Sequence, residues 1–224
     1  MLRPFVALRF AGAILSIAPT NETATMIRTP AALIPYLLML ACFIGGLLWH
    51  AGDLTPRLGR NVAFGTADIG GGFALTDQNG IARTEADFHG RFMLIYFGYS
   101  DCPDVCPTTL NMIADALAKL GPKAARIVPV FITVDPARDT PPVLGTYMKS
   151  FGPQFVGLTG SAKAIAAVEH AYHVYVVRHA LPGGGYAFDH SSAIYLMGPD
   201  GRFVAYFDES IGPDGLARAL RERL

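Results

Sequence analysis

The sequence predicts a three-layer α/β domain, a mixed β-sheet covered by helices on both faces, placed after a membrane anchor. Three observations predict it. Two strand-length apolar runs, residues 91–99 and 126–134, are each followed by helical periodicity. Two turn sequences, Asp77-Gln78-Asn79-Gly80 and Gly198-Pro199-Asp200-Gly201, sit between short apolar runs near the two ends of that region. An uncharged apolar run fills residues 29–49. Composition agrees with a packed chain: 51% of the 224 residues are hydrophobic and 16% charged, against about 25% charged in average soluble chains, which excludes disorder. Eighteen Lys and Arg balance eighteen Asp and Glu. No basic stripe stands out, so nucleic acid is not an expected partner.

Along the chain, residues 1–28 form an N-terminal tail. They read as a targeting segment, a second hydrophobic patch, or residues upstream of a true start at Met26. Residues 29–49 are expected to be one transmembrane helix, since residues 31–49 would span about 28 Å at 1.5 Å per residue, close to a hydrocarbon core of roughly 30 Å. A cleaved signal peptide is the nearest alternative; the run lacks a small-x-small cleavage site after a short apolar core. Met39-Leu40-Ala41-Cys42 has a faint lipoprotein-signal likeness, but Phe43 to Trp49 continues apolar, which leaves Cys42 lipid-buried and inert. Arg3, Arg9 and Arg28 before the run, against Arg57 and Arg60 after it, favour an inside N-terminus. Residues 50–68 read as a tether, and the folded domain as residues 69–224.

Within the domain, residues 73–76 and 81–84 flank the Asn-Gly turn as an N-terminal hairpin. Residues 91–99 are a central strand buried on both faces. Leu110, Ile113, Ala114, Leu117 and Leu120 repeat at helical spacing from Pro107 until Gly121-Pro122 stops them. A second buried strand (126–134), a helix (143–151), a short strand (155–158), a helix (161–172) and a strand (174–178) follow. A terminal hairpin (193–197 and 202–207) and a closing helix (215–224) complete the pattern. Alternating strands and helices that finish in an antiparallel hairpin point to a thioredoxin-like sheet.

The run Tyr96-Phe97-Gly98-Tyr99-Ser100-Asp101-Cys102-Pro103-Asp104-Val105-Cys106-Pro107 carries the chemistry. Cys102 and Cys106 lie where a buried strand gives way to a helix, a place where unpaired N–H groups and the helix dipole favour a thiolate. Four-residue spacing brings both sulfurs to one side of a turn, able to oxidise to a disulfide or to chelate one soft metal. Buried structural cysteines, a permanent disulfide and half a zinc site are the alternatives. The loop is rich in Pro and Asp, and no second cysteine pair exists to complete a four-ligand zinc site.

Six histidines are available, His50, His89, His170, His173, His179 and His190. His190, in Asp189-His190-Ser191-Ser192, immediately precedes the first strand of the terminal hairpin. That strand is expected to run antiparallel beside the central one, so its entry loop faces the cysteine loop. Asp135 ends the second parallel strand at the same edge. It is read either as an outer-shell or docking residue, or, with Asp139, as a cap of the next helix that pairs with Arg138.

These residues resemble the Sco (SenC) family of copper chaperones that help assemble cytochrome c oxidase. The likeness is carried by residues 71–80, 96–107, Thr133-Val134-Asp135-Pro136-Ala137-Arg138-Asp139-Thr140-Pro141, and His190-Ser191 followed by Tyr195 to Gly201. Ser100 stands where Thr is usual and Gly72 where Pro is frequent. The resemblance implies a membrane-tethered domain binding one copper ion, Cu(I) or Cu(II), through Cys102, Cys106 and His190. It implies cytochrome c oxidase subunit II as client, with an upstream copper donor and a thiol reductant as further partners. The compartment is then a bacterial periplasm at the inner membrane or, alternatively, the mitochondrial intermembrane space. Soft thiolates select Cu(I) and imidazole suits Cu(II). The rival is a thiol–disulfide reductase using the Cys102–Cys106 pair, whose usual spacing is Cys-x2-Cys. A peroxidase of the same superfold is disfavoured because neither cysteine follows a Pro-x-x-x-Thr-x-x pattern.

Overall fold

The computed structural model describes residues 38–44, 62–64 and 68–224. The expected span at residues 29–49 lies largely outside the described residues. Only residues 38–44 of it are described, and they are helical with Leu38, Met39, Leu40 and Phe43 exposed. Among the described residues no helix is long and apolar enough to cross a membrane. By its contacts the chain divides into Met1–Pro56 and Arg57–Leu224. The second unit carries the fold set out below.

Its centre is a pair of parallel strands, β4 (Phe92–Gly98) and β5 (Ile127–Thr133), in which every residue is buried. Successive strand side chains point to opposite faces, so a strand buried throughout must be covered on both. The eight-stranded sheet runs β1-β10-β9-β4-β5-β6-β2-β3. Here β1 is Val62–Phe64, β2 Ala74–Asp77, β3 Ala82–Thr84, β6 Val156–Thr159, β9 Ile194–Met197 and β10 Phe203–Phe207. The crossover helices are α1 (Val105–Leu120), α2 (Pro141–Met148) and α3 (Ala162–Ala171), and α4 (Gly212–Arg221) closes the chain. Helix α1 buries Leu110, Ile113, Leu117 and Leu120, the periodic face expected of it, and packs against α4. The mixed α/β, thioredoxin-like architecture is therefore present.

Four differences from the sequence expectation matter. Helix α1 begins at Val105, two residues earlier than expected, and so takes in Cys106. A strand, β1, occurs within the stretch read as tether and pairs antiparallel with β10. The strand expected at 174–178 is β7 (Val176–Ala180), and it does not join the main sheet. Instead it pairs with a strand that the sequence reading passed over as loop, β8 (Tyr186–His190), in a separate ribbon. Finally, neither Asp135 nor Asp139 caps α2: its N-cap is Thr140, with no side-chain cap bond.

Register brings the functional segments to one edge. Gly98 is opposite Thr133 in the parallel pair, and the Val134 amide donates to the Gly98 carbonyl at 2.8 Å. Both loops therefore leave the sheet together. Strand β9 runs antiparallel to β4 with Ile194 opposite Tyr96, so its entry point, just after His190, lies at that same edge.

Candidate metal centre

The site starts with a glycine. A Cβ on Gly98 would stand 2.9 Å from the Cys106 sulfur and 2.9 Å from the Phe131 ring, so only glycine lets the thiol pack against the end of β4. From Gly98 the chain passes through Tyr99, Ser100 and Asp101 to Cys102, which is half-buried, and then into α1, where Cys106 is fully buried. Cys106 lies in the first turn of the helix, where backbone N–H groups have no intrahelical acceptor. Its amide donates to the Cys102 sulfur at 3.5 Å. Burial pushes the Cys106 thiol up to about 12, so in the metal-free form it keeps its proton at neutral pH.

His190 reaches the cysteines from the other side. Its Nδ1 lies 3.0 Å from the Ser191 carbonyl, which can only accept, so Nδ1 carries the ring proton. In that tautomer Nε2 offers a lone pair 3.4 Å from the Cys106 sulfur, placed to accept its S–H. A carbonyl-fixed tautomer with the opposite nitrogen free is the arrangement a metal-ligating histidine needs. The ring stands edge-on to Tyr96 and Tyr99, with centroids 6.1 Å away in each case. Among the described residues no group of three or more His, Cys, Asp and Glu side chains stands at metal-holding spacing. The donors meet in pairs, Cys102 with Cys106 and Cys106 with His190, rather than as a closed triad. Two sulfurs and one imidazole are a soft, mixed set, which suits copper better than a hard cation.

Asp135 is 2% exposed, and its hydrogen bonds run to Tyr186, Arg138 and Thr133. Its Oδ1 accepts from the Tyr186 hydroxyl at 3.0 Å, its Oδ2 accepts from Arg138 Nε, and its own amide donates to Thr133 Oγ1 at 2.9 Å. It ties the β5 end to the β7–β8 ribbon. The expected pairing of Asp135 with Arg138 is present. Asp139, fully buried, reaches back to the cysteine loop: it accepts from the Ser100 amide at 3.0 Å, from the Ser100 hydroxyl, and from the Thr133 hydroxyl at 2.5 Å. Sequence reasoning missed this anchor, and it also missed Tyr99 and Tyr186. Among the described histidines, His89 pairs with Glu85, His179 with Asp189, and His173 contacts the Asp68 carbonyl; His50 lies outside the described residues.

Fold and site together define a thioredoxin-like protein with a strand-end dithiol and an imidazole laid against it. Comparison with known proteins is specific. The SCO1/SenC family model matches residues 62–224. The human protein SCO2 homolog, mitochondrial, is 40% identical over 171 residues, covering 74% of this chain and 64% of its own length. An SCO2-like protein of Rickettsia felis is 39% identical over 171 residues, covering 74% of this chain and 82% of its own. Among solved structures, Bradyrhizobium japonicum ScoI with copper bound shares 45% identity with a TM-score of 0.65, covering 70% of this chain and 99% of that one. Yeast Sco1 with copper bound shares 37% identity and a TM-score of 0.65, covering 70% and 88%. The chain belongs to the SCO1/SenC family.

Proposed function

We propose that this protein is a membrane-anchored copper chaperone that takes one copper ion on Cys102, Cys106 and His190 and supports assembly of the binuclear copper centre in cytochrome c oxidase subunit II. The observation that carries this reading is the free Nε2 of His190 at 3.4 Å from the Cys106 sulfur. Relatives of 45% and 37% identity solved with copper bound support copper as the cargo. Copper loading displaces the thiol protons, and the half-buried Cys102 gives the ion its way in from a donor protein. The anchor is the uncharged run at residues 29–49. The named relatives include mitochondrial and rickettsial proteins, which fits a domain facing either the bacterial periplasm or the intermembrane space.

Metal and disulfide compete for the same two sulfurs, so thiol redox state gates loading. The test is thiol titration of the purified full-length chain before and after copper. Two thiols become unreactive per bound ion under this reading, and unchanged reactivity refutes it.

A second reading is favoured by the asymmetry of the pair, one sulfur accessible and one buried. Cys102 as thiolate attacks a client disulfide and forms a mixed disulfide while one client sulfur leaves. Cys106 then displaces the second client sulfur, which leaves a reduced client and a Cys102–Cys106 disulfide that an external thiol reductant resets. Replacing His190 by Ala separates the readings: copper retention falls, whereas dithiol exchange continues.

A further inference from the structure

The candidate donors come from two stretches 84 residues apart, and the ribbon carrying His190 is not hydrogen-bonded into the main sheet. Something must set where that ribbon lies relative to the cysteine loop. We propose that Arg138 is the positioning residue that does so, a strut joining the cysteine loop to the His190 strand; the inference rests on the copper reading of the site.

Arg138 touches four side chains on three segments. Its Nη1 donates to Asp101 Oδ2 at 2.6 Å, next door to Cys102. Its Nε donates to Asp135 at the β5 end. Its Cζ lies 4.1 Å from the centroid of the Tyr186 ring on β8, four residues before His190, and 5.6 Å from that of the Tyr99 ring, which itself packs on His190. Tyr186 is held from its other contacts by Arg178, 3.7 Å from the same ring, and by the Asp135 carboxylate.

The aromatic contact of Tyr99 with Phe188, 5.6 Å between centroids, gives the ribbon adhesion. Adhesion between rings tolerates sliding, whereas a planar guanidinium that pairs with two carboxylates and stacks at once fixes both distance and angle. Lysine, a point charge on a flexible stem, cannot reproduce that fork. The remaining nitrogen, Nη2, is buried without an acceptor. The stacked, two-carboxylate pose is the one in which Arg138 meets the cysteine loop and β8 together.

The experiment is a double-mutant cycle in the full-length chain: wild type, R138M, H190A and the double variant, with copper(I) affinity read by competition against a chromophoric chelator under reducing, anaerobic conditions. In parallel, the ring-proton NMR shifts of His190 are read in the metal-free proteins, because Tyr96 and Tyr99 impose ring currents on that imidazole. On the wild-type background H190A lowers affinity at least about tenfold, and R138M alone lowers it about tenfold, the usual scale for a residue that orients a ligand. On the R138M background H190A adds at most about twofold, the mark of two residues acting as one unit. An equal factor on both backgrounds overturns the strut. If the wild-type chain holds no copper, the proposed function fails and the ring shifts decide: moved in R138M, the strut stands; unmoved, it falls. Should R138M not melt cooperatively, D101N takes its place, since that carboxylate is 69% exposed and its removal leaves the core untouched. It is expected to lower affinity about threefold, in keeping with an exposed ion pair, and to reduce the His190 effect in the same sense.

Discussion

Two short hairpins of this protein are built on opposite principles. In β2–β3 the turn is locked by one buried acid. Asp77 Oδ1 accepts from the Asn79 amide at 2.8 Å and the Ile81 amide at 3.0 Å, while its Oδ2 takes Arg83 Nε at 2.9 Å. Through β2 the hairpin is stitched to β6 and so to the sheet. In β7–β8 the turn is Gly183-Gly184-Gly185, all at positive φ (+91°, +102° and +83°), with open space around each. That ribbon meets the body through His190, which lies against Cys106 and Tyr96, and through the contacts of Tyr99, Arg138 and Asp135 with Tyr186 and Phe188. The first hairpin serves the scaffold. The second carries His190, the proposed imidazole donor, on a ribbon that stands outside the main sheet.

The comparison predicts a double dissociation. H190A should lower copper affinity at least about tenfold and leave the melting temperature within a few degrees. D77A should lower stability by about 1–3 kcal/mol, because it strips partners from Arg83 and two turn amides, and should leave copper affinity unchanged. Chelator competition and denaturant unfolding on the same samples read both. Equal effects of the two variants on stability would break the division of labour.

A second substitution sharpens the claim that the cysteine side is the rigid one. Gly98→Ala places a methyl 2.9 Å from both the Cys106 sulfur and Phe131. Neither neighbour is the far end of a flexible side chain, so overpacking of about 1–3 kcal/mol is expected, together with weaker copper retention. Denaturant midpoints and metal analysis of the dialysed protein check it, and a neutral result would mean that α1 can shift away from β4.

The same contrast explains what the sequence made legible. The β2–β3 hairpin, both core strands and their helices are written in local signals: an Asn-Gly turn, apolar runs, residues at helical spacing. Topology then placed Cys102, Cys106 and His190 at one edge, because parallel strands end together and β9 runs back along β4. Strand β8 escaped notice because its residues, Tyr186-Ala187-Phe188-Asp189-His190, are only partly buried and follow a triple glycine that reads as loop. The positioning contacts escaped as well. Arg138 to Asp101 spans 37 residues and Asp139 to Ser100 spans 39, and pairing at such separations leaves no spacing pattern to read.

Smaller effects probe each hairpin by itself. Gly184→Ala meets nothing within 4 Å but must hold a φ of +102°, so strain alone is at work. A loss of about 1–2 kcal/mol is expected, felt as faster amide exchange in β7 and β8 and not in β4 or β5; uniform acceleration across the sheet would contradict the ribbon's independence. For β2–β3, burial by itself would raise the Asp77 carboxyl, but the Ile81 amide, Arg83 and the Asn79 amide outweigh it and hold it below its ordinary value. The folded pKa is thus lower than the unfolded one of about 3.9. The stability it contributes is complete above that value and is lost as the pH falls through the folded pKa. D77N should flatten this part of the acid limb in denaturant midpoints measured from pH 6 downward.

The most direct test of the account is X-ray absorption at the copper edge of the full-length chain loaded with one equivalent of copper. It predicts an inner shell of two sulfur scatterers and one imidazole nitrogen, the nitrogen lost in H190A. A shell of oxygen and nitrogen only, or one of sulfur unchanged by H190A, would contradict it.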